Sequence, residues 1–89
     1  MIKSGVECKA ADESLGDFDT VKECADACEQ KSGCNYFAYG IGGKAGKCWW
    51  EKTSEASCPE GWEEDQYDFY EIINSSKLAK DKFNRDWQI

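Results

Sequence analysis

Thr20-Val21-Lys22-Glu23-Cys24-Ala25-Asp26-Ala27-Cys28-Glu29-Gln30-Lys31 decides the fold. Thr20 and Glu23 have the T-x-x-E order of a capping box, in which the hydroxyl accepts from the Glu23 amide and the carboxylate reaches back. Val21, Cys24, Ala25 and Cys28 follow at i, i+3, i+4 and i+7, so the stretch predicts a short helix with both sulfurs on one apolar stripe. Two cysteines stacked one turn apart are poorly placed to bond each other. Each is expected to reach a different partner and staple the helix to what lies beneath it.

Four more cysteines, at positions 8, 34, 48 and 58, border or sit within expected strands and loops. A chain of 89 residues forms one domain with a small core, so hydrophobic burial barely exceeds the entropy lost on folding. Disulfides fill that gap, each adding about 2–4 kcal/mol. Zinc is the rival use of six cysteines. The chain has no histidine, and the spacings x3, x5, x13 and x9 after Cys24 lack the paired C-x2-C knuckles of zinc modules. The expectation is full pairing in an oxidising setting, either extracellular and secreted or the lumen of an oxidising organelle, and not the reducing cytosol.

Working outward from the helix, Ser4 to Cys8 reads as a short edge strand, and Lys9 to Asp19 as a polar loop punctuated by Gly16. Gly33 stops the helix. Asn35-Tyr36-Phe37-Ala38-Tyr39-Gly40 has the aromatic content of a central strand, and Lys47-Cys48-Trp49-Trp50-Glu51 pairs with it through the glycine-rich turn 40–46. That turn lacks the order of a phosphate loop and reads as a flexible hairpin connection. Residues 52–66 are polar, and Tyr67-Asp68-Phe69-Tyr70-Glu71-Ile72-Ile73 is a third clear strand. Alternation sends Cys48 and Trp50 to one face and Trp49 to the other. If Cys48 faces the helix, Trp50 packs beneath it, and Trp49 lies where only a thin domain or a ligand covers it.

The net charge is -7. Residues 1–76 carry 7 Lys+Arg against 16 Asp+Glu, while residues 77–89 carry 4 against 2. An acidic body repels nucleic acid, polyanions and anionic membranes, so no nucleic-acid partner is expected. No apolar run approaches the roughly 18 residues of a membrane span. Met1-Ile2-Lys3-Ser4 does not begin a signal-peptide core, so an exported form is expected to be the mature or excised one.

The segments T-V-K-E-C-A-D-A-C (20–28), C-N-Y-F-A-Y-G (34–40), C-W-W-E (48–51) and Y-D-F-Y-E-I (67–72) together resemble the PAN/apple domain family. The likeness spans roughly residues 5–74. It implies an α+β, disulfide-rich fold with one helix on an antiparallel sheet of about five strands. Residues 1–74 would form the PAN/apple-like domain and 75–89 a C-terminal extension. The resemblance also implies the pairings Cys24–Cys48, Cys28–Cys34 and Cys8–Cys58. Family members look like non-catalytic binding or adhesion modules for protein or carbohydrate, which leaves the ligand open.

The residues themselves argue against an enzyme. No histidine is present for general-base work, and all six cysteines are expected to be committed to bonds. Glu63-Glu64-Asp65 and Glu71 read as a solvated acidic loop with no EF-hand spacing, so neither a metal nor a cofactor is expected. Trp49, Trp62, Tyr67 and Tyr70 are the ligand-binding candidates, as aromatic surfaces beside carboxylates. A second expectation is a small structural accessory subunit of a larger assembly, which could itself be membrane-bound, anchored through residues 77–89. There Ala79, Phe83 and Trp87 repeat at i+4 and the chain closes on Ile89, so Phe83, Trp87 and Ile89 either pack back on the domain or are candidates for docking on a partner. Asn74-Ser75-Ser76 is a glycosylation sequon, used only along a secretory route.

Overall fold

The computed structural model describes residues 1–72. Five strands and one helix succeed one another as β1 (Lys3–Cys8), β2 (Asp12–Asp17), α1 (Val21–Glu29), β3 (Tyr36–Gly40), β4 (Lys47–Glu51) and β5 (Trp62–Glu71). A single 3-10 turn at Gly42–Lys44 sits in the glycine-rich hairpin. The strands form one sheet in the order β1-β5-β3-β4-β2, and every neighbouring pair is antiparallel. Asn74, Phe83, Trp87, Ile89 and the extension to which they belong lie outside the described residues.

Helix α1 carries the expected capping box. The Thr20 hydroxyl accepts from the Glu23 amide at 3.2 Å, and the Glu23 carboxylate accepts from the Thr20 amide at 3.2 Å. Its buried stripe is Cys24 and Cys28, and these sulfurs diverge. Cys24 bonds Cys48 on β4, Cys28 bonds Cys34 ahead of β3, and Cys8 bonds Cys58. No described cysteine is free. Three disulfides in so small a domain belong to an oxidising compartment.

Two apolar clusters lie on opposite faces of β3, as alternation requires. Phe37, the Cys24–Cys48 and Cys28–Cys34 bonds, Trp50 and Tyr70 pack beneath the helix. Tyr36 and Phe69 face the other way, beneath the Cys8–Cys58 bond, Ala56 and Trp62. The segment 52–61 therefore covers that half of the sheet.

Two sequence readings need correction. Residues 12–17, expected as loop, form β2, and β5 begins at Trp62, five residues before the apolar run that announces it. Both stretches are polar because they lie at exposed parts of the sheet, where pairing supplies the order that apolar alternation would otherwise signal. In β2 the pattern is further broken by Gly16, which sits at a register shift with a φ of 114°.

Topology also forces the sheet to coil. Strands β1 and β2 occupy opposite edges, which a flat five-stranded sheet would hold about 19 Å apart. Only Lys9, Ala10 and Ala11 join them, and the four steps from Cys8 to Asp12 span at most about 14 Å. The two edges must therefore converge at this end. Hydrogen bonds from Lys9 N–H to the Gly61 carbonyl at 2.9 Å and from Lys52 N–H to the Ala11 carbonyl at 2.8 Å fix the bridge to the residues that border β5 and β4.

The Cys24–Cys48 bond is the direct tie between helix and sheet. Replacing both residues by alanine is expected to lower the unfolding free energy by about 2–4 kcal/mol in urea titrations. Thr20→Ala should cost only about 1 kcal/mol, because it removes a cap and no crosslink.

Candidate functional site

The rest of the sheet face away from the helix, beyond the segment 52–61, is built around a narrow central strand. Ala38 and Gly40 present almost no side chain there, and a Cβ at Gly40 would collide with the Lys44 carbonyl oxygen. Side chains from the neighbouring strands can therefore meet across β3. Trp49 on β4 stands opposite Ala38, Tyr67 on β5 stands opposite Gly40, and the Trp49 indole N–H donates to the Tyr67 hydroxyl at 3.0 Å. Tyr67 is buried and Trp49 half-buried.

Charged groups continue from this aromatic pair. Lys44, from the 3-10 turn, lies 5.1 Å from the centre of the Tyr67 ring and donates to Asp65 at 2.6 Å. That ammonium holds the Asp65 carboxyl below its ordinary range, while burial raises the Tyr67 phenol. Glu7, on β1, is flanked at hydrogen-bonding range by Asp65 and Asp12. Burial first, then these two acids, push it up to about 7.

The carboxylates of Glu7, Asp12 and Glu51 converge where the sheet edges meet, with ligand-capable oxygens all within 4.8 Å of one another. Glu51 stands opposite Asp12 in the β2–β4 register and is 1% exposed. Neither of its oxygens has a hydrogen-bond partner among the described residues. Burial, reinforced by the negative charges of Asp12 and Glu7, pushes its pKa up to about 9. Cys8, Cys58 and Glu60 also cluster, but the two sulfurs there are bonded to each other.

No protein-family model, curated protein or solved structure matches this chain. The site is read from its own chemistry.

Of the four aromatic candidates, the structure brings Trp49 and Tyr67 together and separates the others. Tyr70 stacks on Phe37 at 5.0 Å beneath the helix side of the sheet. Trp62 packs edge-on against Phe69 at 4.9 Å, with the Lys3 ammonium 5.3 Å from its ring. The expected acidic loop is part of β5. Glu63 and Glu64 are exposed, Asp65 is held by Lys44, and Glu71 stands opposite Tyr36. Sequence reasoning did not single out Lys44, Glu7, Asp12 or Glu51. One signal was available, because the alternation that turns Trp49 away from the helix also turns Glu51 away.

The sign of the pH dependence follows from Glu51. Its folded pKa, about 9, lies above the ordinary value of 4.5, so the native state keeps a proton that the unfolded chain releases. Stability is therefore greatest below 4.5 for this group and falls as the pH rises towards about 9, with Glu7 acting the same way up to about 7. In chelator, the urea midpoint should decline between pH 5 and pH 9, and Glu51→Gln should flatten the decline and raise the midpoint at pH 8. A variant as pH-sensitive as the wild type would exclude Glu51 as the cause.

Proposed function

We propose that this chain is a non-catalytic recognition module of the PAN/apple type, binding carbohydrate or protein in an oxidising compartment through the sheet face that carries Trp49. One observation supports this reading above others. Trp49 is a half-buried aromatic ring whose indole N–H is tied to Tyr67, beside the Lys44–Asp65 pair. A ring fixed in this way loses little freedom when a ligand stacks on it, and adjacent charged groups can take hydroxyls or amides. The disulfides hold the strands beneath, so the surface is set before binding. No helix among the described residues is long and apolar enough to cross a membrane.

Trp49→Ala should weaken binding about tenfold or more, in keeping with the loss of one stacking contact and its supporting hydrogen bond. Glycan-array screening and surface-capture assays against extracellular proteins, run with wild type and variant side by side, make the measurement. A ligand held equally by both would place recognition elsewhere. Hits confined to proteins would remove the carbohydrate reading.

The charge distribution favours a second reading, a structural subunit anchored by its tail. The body through residue 76 is acidic, whereas residues 77–89 are basic and carry Phe83, Trp87 and Ile89. Deleting 77–89 should then abolish incorporation into the assembly while leaving the melting temperature of the domain almost unchanged. A large loss of stability would show that the tail packs on its own domain.

A further inference from the structure

The acid cluster at the converging edges adjoins the aromatic pair through Asp65 and Glu7, and it needs its own explanation. Carboxylates gathered on a surface are ordinary in a protein of this charge, but Glu51 is not on the surface. It is 1% exposed, its two oxygens lack any hydrogen-bond partner among the described residues, and it is aimed at Glu7 and Asp12. A buried carboxylate without a donor is one of the costlier features a small domain can carry. Lys44, the cation held beside Asp65, is committed to that carboxylate at 2.6 Å. What the arrangement lacks is a positive charge among three oxygen donors.

We infer that Glu7, Asp12 and Glu51 form a calcium site. The donor set is carboxylate oxygen alone, which suits a hard cation and disfavours zinc or copper. The oxygens lie within 4.8 Å of one another, inside the reach of two Ca–O bonds of about 2.3–2.6 Å on opposite sides of one ion. Magnesium demands a tighter octahedron and gives up its water reluctantly, which fits three strand-borne carboxylates less well. Register places Asp12 beside Glu51 on adjacent strands, and the coiling of the sheet brings Glu7 from the far edge. Asp12 is exposed, so the ion can enter from solvent and keep water in its remaining positions. A bound ion would join β1, β2 and β4, and so link both edges of the sheet. This inference does not depend on what the Trp49 surface recognises.

The test uses the full chain with its disulfides intact, first stripped with chelator. Melting temperature is recorded in chelator and in about 5 mM calcium, well above the dissociation constants of about 0.1–1 mM common to extracellular calcium modules. A rise of about 4 °C or more is expected. Terbium supplies a second readout. Trp49 precedes Glu51 by two residues on the same strand, so indole excitation should sensitise bound terbium, and calcium should quench that emission by competition. Glu51→Gln should abolish the calcium response while folding at least as stably as wild type in chelator. Asp12→Asn, at an exposed position, should weaken calcium about tenfold, and Asp26→Asn on the helix surface should respond as wild type does. The inference falls if calcium leaves the wild type unmoved, or if sodium chloride at equal ionic strength reproduces the rise. It falls equally if magnesium matches calcium, or if the Glu51 and Asp12 variants bind calcium as well as the wild type.

Discussion

Lys9, Ala10 and Ala11 impose the constraint on which the rest of the structure depends. They tie strands that the hydrogen-bonding order puts at opposite edges, and so short a bridge is incompatible with a flat sheet. Coiling draws the two edges together at the bridged end, although β1 and β2 do not pair with each other. The same coiling brings Glu7 from one edge and Asp12 from the other to the side of Glu51. The convergence of the edges and the gathering of charge are thus one geometric event.

The faces of the sheet divide the remaining work. Beneath the helix, two disulfides and Phe37 make a dry contact that fixes the central strands. On the other face, the Cys8–Cys58 bond holds the segment 52–61 over Tyr36 and Phe69. Beyond it the central strand narrows to Ala38 and Gly40, which lets Trp49 and Tyr67 meet over its backbone. The recognition surface proposed above is therefore a consequence of small residues in one strand as much as of large residues in its neighbours.

The parts legible in the sequence are those whose signals are local. The capping box, the i, i+4 cysteines and the aromatic alternation of residues 36–40 and 47–51 each fit within one element, and the structure has α1, β3 and β4 there. Strand β2 and the first half of β5 were not legible, since Asp12-Glu13-Ser14 and Glu63-Glu64-Asp65 are ordered by backbone pairing and carry little apolar pattern. The acid cluster was illegible for a different reason. Its members come from three strands, with no common spacing in the chain, and become neighbours only through the coiling of the sheet. Glu51 alone left a trace, as a charge on the same phase as Trp49 in an aromatic strand.

The disulfides explain how so small a domain tolerates Glu51. An unpaired buried carboxylate costs several kcal/mol when ionised, which would consume much of the stability that a small core supplies. Each crosslink restores about 2–4 kcal/mol, mainly by restricting the unfolded chain, and three are present. Stability obtained that way does not require every buried position to be apolar. Without a cation, protonation lowers the remaining cost up to about pH 9, the value to which burial raises Glu51, whereas a bound cation would lower it by displacing that proton and letting the carboxylate stay charged. The helix cysteines that decide the fold therefore also free the sheet edges from the duty of packing, and leave them available for chemistry.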